Sequence, residues 1–277
     1  METYQLTEVQ PVRPVAGYIG GKRNLSARLV AKIDAIDHYL YAEPFVGMGG
    51  VFFRRRRRPR VEVINDISTD VTTLFRMLQR HYQAFLDMLK WQLSSRAEFE
   101  RLMHQDASTL TDLERAARFL YLQKTAFGGK VVGRTYGIDR DNGSRFNLTK
   151  LEPMLEEVHD RLAGVSIERL HWQKFLDRYD RPGTLFYLDP PYWGCTDDYG
   201  ADVFSEADFG ALRDALGAIN GRFILSINDV PEIRALFAEF TIEPVDLTYR
   251  ISGKVTAARE LIISSITGGE NTMEERT

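Results

Sequence analysis

The run Thr184-Leu-Phe-Tyr-Leu188 is apolar and aromatic-rich, which marks it as a buried strand, and it ends at once in Asp189-Pro190-Pro191-Tyr192. That ending puts a carboxylate, a rigid turn and an aromatic face at the strand's carboxyl edge. In open α/β sheets, ligands bind at that edge. Pro190 and Pro191 fix φ and remove two backbone donors, so nearby carbonyls stay free to accept bonds from a ligand. Acceptors beside a stacking ring suit a planar base held by its exocyclic amine. A plain Pro-Pro turn with a packed tyrosine would show the same four residues.

The rest of the chain supplies the sheet. Tyr39-Leu-Tyr-Ala42 and Val61-Glu-Val-Ile64 read as strands, and a helix begins near Thr69. From about Thr73 to Leu122 the pattern is helical, with polar breaks around Ser94-Ser95 and Asp106–Thr111. Leu151–Leu162 is a further helix, and the strand pattern resumes over Val165–Leu170. Beyond Pro191, helices are expected over Ala207–Ile219 and Val230–Phe237. Strands are expected at Phe223–Ile227, near Ile242–Tyr249 and over Glu260–Ile266. The alternation predicts a parallel-rich α/β sheet with a helical insertion.

A chain of 277 residues, 44% hydrophobic and 27% charged, can build a full core. No apolar run approaches membrane-spanning length, and Met1-Glu-Thr-Tyr-Gln lacks a signal-peptide shape, so a cytoplasmic protein is expected. The single Cys195 rules out an internal disulfide and a cysteine-based zinc cage. Five scattered histidines without metal-binding spacing argue against a metal site.

The net charge of −3 does not advertise a nucleic-acid partner, but its distribution does. Residues 124–150 carry Lys124, Lys130, Arg134, Arg140, Arg145 and Lys150 against Asp139 and Asp141, interleaved with Phe127, Tyr136, Phe146 and several glycines. A basic, aromatic, Gly-rich loop can follow phosphates and stack or wedge bases, although a solvated surface loop has the same composition. The arginine run Arg54–Arg58, continued by Arg60, follows Val51-Phe52-Phe53, read as a helix start. At the helix C-terminus it is expected to be a solvated face that complements the dipole, remote from the ligand edge.

Gly47-x-Gly49-Gly50 follows a strand, and Asp66 lies 19 residues beyond Gly47 at the end of the next one. Glycines let backbone approach a ligand, and an acid so placed bonds ribose hydroxyls. A nicotinamide enzyme and a methyltransferase would both show this pair. Tyr18-Ile-Gly-Gly-Lys22 ahead of the first helix can seat an anion such as a carboxylate, or form a plain helix-entry turn.

Tyr18-Ile-Gly-Gly-Lys22, Ala42-Glu-Pro-Phe-Val-Gly-Met-Gly-Gly50, Ile64-Asn-Asp-Ile67, Leu188-Asp-Pro-Pro-Tyr192, Phe223-Ile-Leu-Ser-Ile-Asn-Asp229 and Arg259-Glu-Leu-Ile-Ile263 occur in one order. That order resembles the Dam-type DNA adenine-N6 methyltransferases, the alpha class of amino-methyltransferases, over roughly residues 15–267. The resemblance implies an α/β, Rossmann-like methyltransferase sheet with an inserted helical target-recognition domain. Residues 1–75 and 165–277 would form the catalytic domain, and 76–164 the insertion. It implies S-adenosylmethionine as cofactor and double-stranded DNA as partner, with neither membrane nor metal; a restriction–modification role, a regulatory role and a phage-protective role would all look the same in the sequence. A monomer is expected.

Asp189, Pro190, Pro191 and Tyr192 become the catalytic set acting on a flipped adenine. Lys22 and Tyr18 would hold the methionine end of the cofactor, Phe45, Gly47 and Gly49 would cradle it, and Asp66 would bond its ribose, with Glu43 and Asp189 also at the cofactor site. Lys130, Arg134, Tyr136, Arg140 and Arg145 become the DNA contacts. The Gly128–Gly133 stretch departs from the asparagine-glycine form of GATC-reading members, and Tyr18 stands where those members commonly carry tryptophan. The alternatives are transfer to cytosine N4, RNA or a protein amide, whose enzymes more often show Ser or Asn at the position of Asp189, and a non-enzymatic nucleic-acid-binding module.

Overall fold

The computed structural model describes residues 4–18, 22, 24–127, 131, 133–137, 144–195, 204–251 and 254–265. Among them the strands are β1 (Thr7–Glu8), β2 (Leu40–Glu43), β3 (Arg57–Arg58), β4 (Val61–Asn65), β5 (Ser166–Glu168), β6 (Thr184–Leu188), β7 (Arg222–Asn228), β8 (Thr241–Ile251) and β9 (Lys254–Ser264). The helices are α1 (Ser26–Asp34), α2 (Thr69–Arg80), α3 (Tyr82–Leu89), α4 (Arg96–His104), α5 (Asp112–Thr125), α6 (Leu148–Arg161), α7 (Trp172–Tyr179), α8 (Glu206–Ala218) and α9 (Pro231–Leu236).

Seven strands form one sheet in the order β5-β4-β2-β6-β7-β9-β8. The first five are parallel, and β9 runs antiparallel to both β7 and β8. The run Thr184–Leu188 is the central strand β6, buried along its whole length. Its side chains alternate between two cores. Leu185 and Tyr187 join the core shared with α1 to α6, whereas Phe186 and Leu188 join that of α7 to α9. Helices on both faces explain why this strand is apolar throughout rather than alternating with polar residues.

The two polar breaks in the helical stretch fall where α4 and α5 begin. Ser95 caps α4 by accepting from Glu98 N–H, and Thr111 with Glu114 forms a capping box on α5. Helix α7 escapes the sequence reading, and α2 continues through position 75, so the expected domain boundary falls inside a single helix. Gln79 of α2 donates from Nε2 to the carbonyls of Leu162 and Val165, both at 2.8 Å, which ties the entry and exit of the insertion together.

The arginine run departs most from expectation. No α-helix follows the glycine loop; Phe52–Arg54 is a single 3₁₀ turn, and Arg57–Arg58 pairs antiparallel with Thr7–Glu8. Arg55 turns inward and is fully buried, its guanidinium 3.6 Å from the Tyr41 ring centroid. It donates to Glu62, which also accepts from Arg161 of α6 at 2.7 and 2.8 Å. The cause is the pleat of β4, which sends the Glu62 carboxylate into the core, where it requires cations. Arg56, Arg57, Arg58 and Arg60 stay exposed, as expected.

Glu62→Ala should lower the unfolding free energy by about 3–5 kcal/mol in urea titrations, because two buried guanidiniums lose their shared carboxylate. Single Gln substitutions at Arg56, Arg57 and Arg58 should stay within about 0.5 kcal/mol of wild type. Equal effects from the two groups would refute the division of this run into inside and outside.

Candidate active site

Strands β2 and β6 are neighbours, yet the next strands, β4 and β7, lie on opposite sides of the pair. Here the topology switches, and a crevice opens beyond the carboxyl ends of the strands. It holds a cavity of ≈ 650 Å³ whose lining includes Tyr18, Lys22, Phe45, Lys124 and Met154. Three acids that also line it stand at consecutive strand ends: Glu43 closes β2, Asp66 follows β4 and Asp189 follows β6.

The glycine loop sits where the sequence put it. Gly47 has φ 50° and Gly49 φ 72°. A Cβ on Gly49 would lie 2.3 Å from the Phe53 ring, and one on Gly47 3.0 Å from the Tyr18 ring. A larger residue at position 47 would therefore push on the Tyr18 wall of the cavity, and one at position 49 on the buried Phe53 behind the loop. Asp66 braces the loop: its Oδ2 accepts from Gly47 N–H at 2.9 Å and its Oδ1 from Ser68 N–H at 2.8 Å. Each carboxylate oxygen keeps a second acceptor site, which suits paired ribose hydroxyls. Burial pushes the Asp66 carboxyl up to about 6, against those two backbone bonds. Phe45 packs edge-on against Phe204, with centroids 5.8 Å apart.

The turn after β6 is held from three sides. Asp189 Oδ1 lies 2.7 Å from Lys22 Nζ and accepts from Ser226 Oγ at 3.3 Å. Lys22 also donates to the Tyr192 hydroxyl at 2.6 Å, and Glu260 of β9 stands 3.6 Å from the same ammonium. Asn228 accepts from the Trp193 N–H at 3.0 Å and donates to its carbonyl at 3.1 Å, binding the backbone as another strand would. Among the described residues, Asp189 Oδ2 carries no hydrogen bond, and the side chain is 21% exposed. Burial pushes the Asp189 carboxyl up to about 6 in spite of Lys22, and pushes Glu43, hydrogen-bonded by Tyr41, up to about 8. An acceptor oxygen, a proline turn without donors and a half-buried aromatic ring thus converge at one strand end. The arrangement can hold an amine.

The basic loop divides into parts. Lys130 and Arg140 lie outside the described residues. Arg134 donates to Gln123 at 3.1 Å, and Gln123 in turn donates to the Gly17 carbonyl at 2.8 Å, close to Tyr18. Tyr136 packs on Phe99 and Arg96, and Arg145 donates to the Ala126 carbonyl at 3.3 Å. These three side chains brace the base of the loop against α4 and α5.

The sequence reading gave no role to Ser226, Asn228 or Glu260. Ser226 and Asn228 interrupt the apolar run of β7, a signal that could have singled them out, whereas Glu260 follows Arg259 in a strand with several polar residues and carried no such signal. The structure brings Lys22, expected at the methionine end of the cofactor, to Asp189 and Tyr192 in the turn after β6. Among the described residues, no group of three or more His, Cys, Asp or Glu is arranged to hold a metal, and no helix is long and apolar enough to cross a membrane.

Comparison with known proteins agrees with this geometry. The Type II methyltransferase M.CviBI of Paramecium bursaria Chlorella virus NC1A is 24% identical over 251 residues, covering 88% of this chain and 95% of that protein. The Type II methyltransferase M1.LlaDCHI of Lactococcus lactis subsp. cremoris is 24% identical over 279 residues, covering 92% and 94%. A third, M.MjaIII of Methanocaldococcus jannaschii, is 24% identical over 204 residues, covering 65% and 69%. Residues 18–251 match the model of the D12 class N6 adenine-specific DNA methyltransferases, and the chain belongs to that family.

Proposed function

We propose that Asp189, the Pro190 carbonyl and Tyr192 carry out methyl transfer from S-adenosylmethionine to N6 of an adenine flipped out of duplex DNA. The observation that supports this is the Asp189 carboxylate at the topological switch point, one oxygen anchored and the other open to the cavity. Adenine N6 is a poor nucleophile because its lone pair is delocalised into the ring. Asp189 Oδ2 and the Pro190 carbonyl accept its two N–H bonds, which favours tetrahedral nitrogen and frees the lone pair. Tyr192 stacks on the base. Their main contribution is to positioning. The negative charge of Asp189 also stabilises the positive charge that develops on nitrogen. Flipping the base out costs roughly a few kcal/mol, drawn from contacts elsewhere on the DNA.

The residues present fit the cofactor. The cavity has the volume of a small-molecule site, with a backbone cradle at Gly47 and Gly49 and a buried acceptor at Asp66. Asp66 bonds the ribose, Phe45 and Tyr18 flank the cradle, and Glu43 closes its floor. The bound cofactor supplies an electrophilic methyl group on a sulfonium. We infer that residues 76–164 recognise the target, with Lys130, Arg140 and Arg145 meeting phosphate, Arg134 meeting guanine and Tyr136 bracing the loop. Likeness to Type II methyltransferases supports a restriction–modification role.

Sequencing of methylated DNA from cells expressing the protein should reveal N6-methyladenine in one short motif. With that duplex, Asp189→Ala should slow single-turnover transfer by about 10²–10³. Tyr192→Phe keeps the stacking face but loses the bond from Lys22, so it should lose part of the rate, and Tyr192→Ala should lose more. Because ionised Asp189 is the active form and its carboxyl sits at about 6, transfer should persist above that pH and fall as pH drops through it. Near-normal transfer by Asp189→Ala would refute the assignment. Calorimetry should show Asp66→Ala weakening S-adenosylmethionine binding by about 1–3 kcal/mol; unchanged affinity would remove Asp66 from the site.

A further inference from the structure

We propose that Lys22 is a positioning residue for methyl transfer: its ammonium ties Oδ1 of Asp189 and the hydroxyl of Tyr192 into one unit, leaving Oδ2 to meet the target amine. This rests on the reading of Asp189 as the acceptor of the N6–H bonds. It gives Lys22 a task at the reacting end rather than at the methionine end of the cofactor.

The geometry is specific. Lys22 is 2% exposed, just ahead of α1, and reaches the turn after β6 across the sheet edge. Its Nζ stands 2.7 Å from Asp189 Oδ1 and 2.6 Å from the Tyr192 hydroxyl. Ser226 of β7 approaches the same Oδ1 at 3.3 Å, so that oxygen is held by two donors while Oδ2 faces the cavity. A carboxylate fixed by two bonds on one oxygen cannot rotate without breaking both. The open oxygen therefore keeps a set direction toward the amine, and the bonded Tyr192 ring keeps a set plane relative to it.

The charge has a second effect. The groups around Asp189 are Glu43 from β2, Tyr187 from β6, Tyr192 from the turn, Ser226 from β7 and Glu260 from β9, with Lys22 as the cation. Burial opposes ionisation of Asp189 most strongly and Glu260 opposes it further, while ionised Asp189 in turn raises Glu43. Lys22 is the largest influence in the other direction. Without its charge, Asp189 takes up a proton at higher pH and loses the negative charge that meets the developing cation on nitrogen.

Single-turnover methylation of the mapped duplex, followed from pH 5 to 9, tests this. Wild type should show an acid limb near 6 and a plateau above it. Lys22→Met should move that limb upward by about 1–3 pH units, so transfer falls about twofold to a hundredfold at pH 7 and recovers toward the alkaline end. Lys22→Arg, which keeps the charge, should restore the wild-type limb. Lys22→Gln keeps a donor without the charge and should show the same alkaline shift, so the test stands even if Lys22→Met does not fold. Ser226→Ala should give a smaller shift of the same sign.

A folded, charge-free variant with the wild-type profile would overturn the proposal. So would a loss of rate that is equal at every pH, or one that tracks weakened S-adenosylmethionine binding by calorimetry, since either assigns Lys22 to the fold or the cofactor. Failure of the underlying reading looks different: Asp189→Ala would then transfer normally whatever the state of Lys22.

Discussion

Three carboxylates buried at the ends of three adjacent strands set the terms for this molecule. Glu43, Asp66 and Asp189 share the crevice beyond β2, β4 and β6, and burial raises the proton affinity of all three. A buried acid needs donors or it neutralises itself. Each of these has recruited a different kind of donor. Asp66 takes two backbone N–H groups, Glu43 takes the Tyr41 hydroxyl, and Asp189 takes an ammonium. The glycine loop, the N-terminal segment around Lys22 and the polar positions of β7 and β9 are best understood as the groups that keep these acids in place.

Such a site is a poor contributor to stability, and the fold compensates elsewhere. Both faces of the central strands are covered by apolar cores, with Phe52, Phe53, Phe75 and Tyr187 on one side and Phe175, Phe186 and Phe223 on the other. At roughly 1.5–3 kcal/mol for each fully buried large apolar side chain, these cores outweigh the cost of a few desolvated acids.

Much of this was legible in the sequence because strand ends and turns are encoded locally. Asp189-Pro-Pro-Tyr192 and Glu43-Pro-Phe-Val-Gly47 carry their geometry in their own prolines and glycines, and both lie at the predicted strand ends. The helical breaks at Ser95 and Thr111 were equally local, since each is a cap. The arginine run misled for the opposite reason. Arg55 is interior only because Glu62 and Arg161, at other points in the chain, meet it there, and nothing in the string of arginines distinguishes the buried one from its exposed neighbours. The attachment of Lys22 to Asp189 spans a similar gap and was equally hidden.

The way the insertion is fastened has a consequence for how such an enzyme can diversify. Helix α2 enters the insertion without a break, and Gln79 near its end bonds the chain just after α6 returns. Arg161 then anchors that return to Glu62 in the catalytic sheet. Entry and exit are thus fixed to each other and to the frame, and the helices between them share one apolar core with α2 and α6. The coupling runs further, because Lys124 of α5 and Met154 of α6 line the cavity and Gln123 donates to the Gly17 carbonyl, so substitutions on the inner faces of these helices reach the site itself. Only the outward faces of α3 to α6 are free to drift without retuning the crevice.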